Sequence, residues 1–256
     1  MINRDIIGGP LGIIYDDLGR EEIDLAIDRV KSLLSNAGVN KGDLVTISII
    51  VVDINHIASI FACAELGLRI FILDSPATKE SLPFTKLALH GPSNYYLYST
   101  QEDTTHIYNG LHDEMLGRYG GLGIDVMGDA IDSSNFHKVE VLPSDPFLVS
   151  STSGTTGASR PITFSHQEVY DISKRNIDVF WFGEDAKVIH SRNLHHASAM
   201  LTHLLPALMN AYSHSSFAIG HDLSHAEDVD LMRGLKDLQY VPPSNIMIPN
   251  KEELYN

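Results

Sequence analysis

The residues best suited to chemistry lie in one short segment, VSSTSGTTGASRPITFSH, at positions 149–166. Gly154 and Gly157 can adopt positive φ without a Cβ penalty, so successive backbone N–H groups there can converge on one anion. Arg160 adds a permanent charge whose planar fork matches phosphate oxygens. The hydroxyl donors of the segment include those of Ser153, Thr155 and Thr156. These residue types predict a loop that cradles a polyphosphate.

Other motifs share this composition but require different residues. A Walker A loop needs a glycine where this chain has Ser159, and a nucleophile elbow needs flanking glycines that Ser153 lacks. The GTTG sequence also matches the G-x-x-G clamp of KH-type RNA-binding domains, although that clamp joins two helices in a basic setting. An RNA-binding clamp and a plain Gly/Thr surface turn are therefore the alternatives to phosphate binding.

The residues around the loop predict the elements that hold it. DPFLVSSTS is typical of a strand that enters the loop, and PITFSH of a second strand that leaves it. Ser165 with Glu168 three residues later forms a capping box, so a helix is expected to start at Ser165 and run through HQEVYDISKRNIDVF.

The rest of the chain alternates helical and extended patterns. An amphipathic helix in REEIDLAIDRVKSLLSNAG, expected to stop at Gly38, precedes the turn NKGD and the strand LVTISIIVV. The helix INHIASIFACAELG and the strand RIFILD follow, and this rhythm predicts an α/β fold with a mostly parallel sheet flanked by helices. Further strands are predicted in NYYLYST, AKVIHS and SSFAIG, no element is assigned to NGLHDEMLGRYGGLGIDVMGD, and a helix in ASAMLTHLLPALMNAY is expected to kink at Pro206.

Composition narrows the class of protein. The chain has 256 residues, 43% of them hydrophobic, and a net charge of −15. So acidic a surface disfavours partners such as nucleic acids and anionic membranes. The single cysteine, Cys63, lies in an apolar run and predicts a core residue in a reducing compartment. With no signal-peptide or membrane-spanning pattern in the sequence, we expect a soluble, cytoplasmic protein.

TSGTTGASRPITFSH resembles the phosphate-loop signature of adenylate-forming enzymes, which include acyl-CoA synthetases, luciferases and the adenylation domains of nonribosomal synthetases. The usual pattern is T-S-G-T-T-G-x-P-K-G-V followed by a threonine–histidine pair; residues 152–157 match it throughout, and Ser165 and His166 occupy the place of the pair. The likeness extends in order over about residues 15–220. It implies the front part of the large N-terminal domain of this family, with a weak internal division near residue 140 into parts 1–140 and 141–256.

The resemblance implies a reaction in which ATP and a carboxylic acid give an acyl-adenylate and pyrophosphate. His195 matches the family's residue near the acyl pocket, and Arg160 stands where the family usually has lysine. Ser159 and Pro161 replace the usual proline and glycine. A metal site is a weaker alternative, with His190, His195, His196 and His203 as candidates. By resemblance, the phosphates of ATP would be held by Thr152, Ser153, Gly154, Thr155, Thr156, Gly157 and Arg160.

Other segments of the family are not found in these residues: the glutamate that serves Mg²⁺, the aspartate that binds the ribose, and the lysine of a small C-terminal domain. Mg²⁺ is thus implied without a ligand in this chain, and the catalytic residues stay unassigned. Three histories fit: a piece of a longer protein, one half of a split enzyme completed by a second polypeptide or a homo-oligomer, or a shortened relative. The last would be a non-catalytic nucleotide- or acyl-binding or assembly protein.

Overall fold

The computed structural model describes eleven stretches of the chain: residues 1–7, 11–13, 16–47, 54–72, 95–98, 121–128, 139–151, 161–180, 188–190, 197–210 and 216–219. Ten strands form two sheets. The first six are β1 Leu11–Ile13, β2 Asp16–Leu18, β3 Leu44–Ile47, β4 Arg69–Ile72, β5 Tyr95–Tyr98 and β6 Leu122–Asp125. The other four are β7 Pro146–Ser151, β8 Pro161–Ser165, β9 Val188–His190 and β10 Ser216–Ile219.

The larger sheet has the order β6-β5-β3-β4-β7-β8, and its neighbouring strands run parallel except for the antiparallel pair β7 and β8. All four residues of β3 are buried, as expected for a strand covered on both faces. The fold class predicted from the sequence, a mostly parallel sheet flanked by helices, is confirmed.

The smaller sheet has the order β2-β1-β10-β9. β1 pairs parallel with β10 and antiparallel with β2, so the beginning of the chain joins a strand some two hundred positions later. The pattern of residues 11–18 did not predict β1 and β2, because strands of three residues carry too little periodicity to be recognised locally.

Two helices near the start of the chain pack against each other, α1 Arg20–Asn36 and α2 Ile54–Glu65. The amphipathic character predicted for α1 is confirmed, since Ile23, Ile27, Val30 and Leu34 are all buried. The backbone N–H of Gly19 donates to Glu22 Oε2 at 2.7 Å and closes the start of α1. Every residue of α2 from 55 to 64 is buried, and Cys63 is one of these core residues, as expected.

Two later helices complete the described part. α3 is His166–Phe180. The other, which we call α4, spans 197–210 and changes its hydrogen-bond pattern along its length: Ala197–Ala199 is α-helical, Met200–Leu204 is a π-helical turn, and Leu205–Asn210 is α-helical. The sequence predicted this helix, and the structure shows a π-helical turn shortly before Pro206; the expected kink at Pro206 stays a prediction.

The unassigned segment 109–129 contains β6, which pairs parallel with β5. The sequence did not predict this strand, because its four residues lie among glycines. Its pairing with β5 supplies the backbone partners that the local pattern does not indicate.

A charged cluster fastens the first residues to both early helices. The Arg4 guanidinium donates from Nε to Glu65 Oε1 at 2.7 Å and from Nη2 to Asp28 Oδ1 at 2.6 Å, and Lys31 Nζ lies 2.8 Å from Glu65 Oε2. Burial alone would raise the pKa of Glu65, but the hydrogen bonds from Arg4 and Lys31 outweigh burial and lower it. The cluster therefore keeps Glu65 ionised where α2 ends.

The turn between α2 and β4 requires glycine at position 67. Gly67 has φ +66°, and a Cβ there would lie 3.0 Å from Lys41 Cγ and 3.3 Å from Val141 Cγ2. Lys41 cannot easily withdraw, because its Nζ lies 2.7 Å from Asp145 Oδ2 and 2.7 Å from the Glu140 carbonyl oxygen. Both backbone strain and crowding therefore oppose a side chain at this position.

We expect Gly67→Ala to lower the free energy of unfolding by about 2 kcal/mol, measured by urea denaturation. The matched control is Gly38→Ala. Gly38 has φ +80°, and a Cβ there would meet no described atom within 4 Å, which leaves the backbone strain alone, about 1 kcal/mol. Equal losses for the two variants would show that the contact with Lys41 and Val141 does not matter.

Candidate nucleotide-binding site

The segment singled out by its chemistry closes a β-hairpin. β7 and β8 are antiparallel, with Leu148 opposite Phe164 and Ser151 opposite Pro161. The predicted strand–loop–strand arrangement is thus confirmed at both ends of the loop. Residues 152–160, the loop itself, lie outside the described residues.

The loop leaves the sheet at the edge where α/β proteins bind ligands. β7 runs parallel to β4, with Ile70 opposite Leu148 and Phe71 opposite Val149, so Ser151 marks the carboxyl end of a parallel strand. In open α/β sheets, ligands bind outside the carboxyl ends of the strands. β7 therefore ends, and β8 begins, at the edge of the sheet where such proteins bind ligands.

At the end of the hairpin away from the loop, the predicted capping box joins β8 to α3. The Glu168 N–H donates to Ser165 Oγ at 3.2 Å, and the Ser165 N–H donates to Glu168 Oε2 at 2.8 Å. This reciprocal pair starts α3 one residue after Ser165, as the sequence predicted. β8 and α3 are therefore joined with a fixed geometry.

Asp145 connects this end of the hairpin, away from the loop, to the rest of the fold. Its Oδ2 accepts from the Leu142 N–H at 2.7 Å and lies 2.7 Å from Lys41 Nζ, while its carbonyl accepts from the His166 N–H at 3.0 Å. Hydrogen bonds from Lys41 and then from Leu142 lower the pKa of Asp145. This contact could not be predicted from the sequence, because Lys41 and Asp145 are far apart in the chain and no motif links them.

His166 is fully buried at the same end of the hairpin. Its imidazole stacks on Phe147 with a centroid distance of 4.6 Å and an interplanar angle of 23°. Neither ring nitrogen has a well-aligned hydrogen-bond partner among the described residues, although the backbone of Ile2 approaches the ring. Burial lowers the pKa of His166 to about 4, against a smaller opposing effect of the Asp145 charge. The ring is therefore neutral at pH 7.

None of the residues predicted to contact substrate falls within the described residues, since Thr152 to Gly157, Arg160 and His195 all lie outside them. Of the metal candidates, His196 is also outside, while the backbone of His190 ends β9 and that of His203 lies in the π-helical turn of α4. In the described part of the chain, no three histidine, cysteine or carboxylate side chains come together as a metal site would require.

A cavity of about 450 Å³ lies elsewhere, beside Arg4, Lys31, Glu65, Val139 and Val141. Its lining residues precede β4 and β7, so it opens at the amino ends of the parallel strands, away from the loop. The charged side chains of Arg4 and Lys31 in its lining both already pair with Glu65. The cavity therefore does not coincide with the loop in which the sequence predicts a nucleotide site.

The fold is shared with solved structures. The chain is similar to ATP-bound MatB from Rhodopseudomonas palustris, with 17% identity and a TM-score of 0.68 over 91% of this chain and 47% of that one. It is similar to a double mutant of o-succinylbenzoate CoA synthetase (MenE) from Bacillus subtilis, with 17% identity and a TM-score of 0.66 over 90% of this chain and 44% of that one. Its similarity to McyG A-PCP complexed with phenylalanyl-adenylate has 16% identity and a TM-score of 0.67 over 88% of this chain and 36% of that one. At these identities the likeness shows the fold alone, and the chain spans less than half the length of each.

Comparison at the level of sequence can identify a family, which a shared fold at low identity cannot. No curated protein matches the chain significantly. Among the helices that the structure describes, none has the length and apolar character needed to cross a bilayer. The model of the family described as AMP-binding enzyme matches residues 15–233, which contain the hairpin, its loop and both sheets from β2 onward. The resemblance stated from the phosphate-loop residues is thereby confirmed, and the chain belongs to the AMP-binding enzyme family.

Proposed function

We propose that the protein binds ATP through the loop 152–160 and adenylates a carboxylic acid, as an ATP-dependent, AMP-forming ligase or the N-terminal portion of one. The observation that carries the proposal is the hairpin: β7 ends and β8 begins at the carboxyl edge of a parallel sheet in a chain of the AMP-binding family, and the sequence between these two ends is rich in hydroxyl residues. The ATP in MatB and the phenylalanyl-adenylate in McyG support it by analogy of fold.

The proposed roles follow from the chemistry of the side chains. The hydroxyls and backbone amides of residues 152–157 would donate to the β- and γ-phosphates, and Arg160 would neutralise charge that shifts during transfer. His195 would line the pocket for the acid. The described residues offer no Mg²⁺ ligand set, so we assign Mg²⁺ to no residue. A cytoplasmic location, the division near residue 140 and a completing second polypeptide stay predictions.

ATP–pyrophosphate exchange with a panel of carboxylic acids tests the activity, with and without the product of the neighbouring reading frame. We expect exchange that depends on one class of acid. Calorimetric titration with MgATP and with a non-hydrolysable acyl-adenylate mimic separates the alternatives: binding without exchange supports the non-catalytic binding protein, and no binding in either titration rejects both.

A further inference from the structure

The π-helical turn of α4 changes which carbonyl groups find a partner. In an uninterrupted α-helix, Leu205 would donate its N–H to the Leu201 carbonyl. Here the Leu205 N–H donates to the Met200 carbonyl instead, one residue further back. The Leu201 carbonyl has therefore lost its α-helical donor.

The next donor in the π pattern is also missing. Continuing that pattern by one residue would bring the N–H of position 206 to the Leu201 carbonyl. Position 206 is proline, which has no N–H. Leu201 is only 5% exposed, so water has little access to replace the donor. A buried carbonyl without a partner destabilises a fold.

Asn176 on α3 supplies the missing donor. Its side-chain amide donates from Nδ2 to the Leu201 carbonyl at 3.1 Å and to the Ile172 carbonyl at 3.0 Å. An amide nitrogen carries two hydrogens, so both are used. One bond holds the side chain to its own helix, and the other reaches across to the π-helical turn.

This contact joins the two helices that follow, in the sequence, the two segments predicted to bind substrate. α3 begins directly after β8, at the end of the β7–β8 hairpin away from the loop, and packs along α4. α4 in turn begins directly after the segment 191–196, which contains His195. The extra residue of a π-helical turn rotates the helical residues before it, here 197–199, by about 100° from the orientation that an uninterrupted α-helix would give them.

We propose that Asn176 is a positioning residue: it replaces the donor that Pro206 lacks and fixes the π register of α4, and with it the rotation of residues 197–199, which follow His195 closely in the sequence. The consequence for substrate rests on the proposed function. It assigns Asn176 to the carboxylic-acid side of the site, and not to the phosphate side.

A double-mutant cycle tests the link to Pro206. We expect Asn176→Leu to lower the folded-to-unfolded ratio about tenfold, because it removes the donor while keeping the volume similar. In the Pro206→Ala background the same substitution should lower it less than about threefold, since the backbone can then supply a donor to the Leu201 carbonyl, from the N–H of position 206 in the π register or from the Leu205 N–H in the α register. Strictly additive effects would overturn the link. Gln167→Leu is the matched control, because Gln167 is exposed on the same helix and its side chain donates to Asp171 at 2.8 Å.

The kinetic consequence is tested in pyrophosphate exchange. Asn176→Leu should raise KM for the acid about tenfold and KM for ATP less than twofold, with Gln167→Leu unchanged in both. Equal changes in the two KM values, or none, would overturn the positioning role. An inactive wild type that binds neither MgATP nor the adenylate mimic would reject the proposed function and this role with it, while the unfolding cycle would still decide the link to Pro206.

Discussion

Replacing Arg160 with methionine is expected to lower kcat/KM for ATP–pyrophosphate exchange about 100-fold. A preorganised donor aimed at charge that develops in a transition state typically contributes a factor of this order, and methionine retains the length of the side chain while removing its charge. If Arg160 serves binding and not packing, the same substitution should alter the free energy of unfolding by less than about 0.5 kcal/mol.

Two further variants separate charge from geometry. Arg160→Lys keeps the charge but loses the fork, so we expect intermediate activity. Arg175→Met removes a charge from an exposed position on α3 and should keep exchange within about twofold of the wild type. Full exchange by the Arg160→Met protein would mean that Arg160 does not contact the triphosphate.

How far the sequence could predict the fold depended on the range of the interactions. Helix α1 and the capping box at Ser165 were found because their signals lie within one or two turns of the chain. β1 was not predicted because its parallel partner is β10, and no local pattern specifies so distant a pairing. β6 was not predicted for the same reason, because four residues among glycines become a strand only beside β5.

The candidate site shows the same limit. Thr152 to Gly157 were recognisable because a phosphate cradle is built from adjacent backbone groups, so its residue types are contiguous. Asp145 and Asn176 act across the fold, one through Lys41 and the other through Leu201. An aspartate before a strand and an asparagine within a helix look ordinary in sequence, and only the three-dimensional contact gives each a role.

Acidification from pH 7 to pH 5 is expected to lower the free energy of unfolding by about 2 kcal/mol through His166 alone. The folded-state pKa of His166 is lowered to about 4, whereas the unfolded chain binds its proton near the ordinary value of 6.5. Between these values the unfolded state holds more protons, so stability is complete above pH 6.5 and is lost progressively as the pH falls toward 4. The carboxylates Glu65 and Asp145 do not contribute in this window, because their lowered pKa values act only below about 4.5.

The substitution His166→Leu removes the titrating ring at similar volume and should flatten this part of the profile, measured by urea denaturation at a series of pH values. At pH 7 the two proteins should be similar in stability, since the buried imidazole has no well-aligned partner to lose in the described part of the chain. The control Val169→Ala, at another buried position of α3, should lower stability by a constant amount at every pH. The groups that face the ring are Asp145, Lys41 and the N-terminal amine, and the negative charge of Asp145 only partly offsets burial. Parallel profiles for the wild type and His166→Leu between pH 7 and pH 5 would show that the imidazole gains its proton in the folded state, which requires water or a carbonyl to reach it beside Phe147.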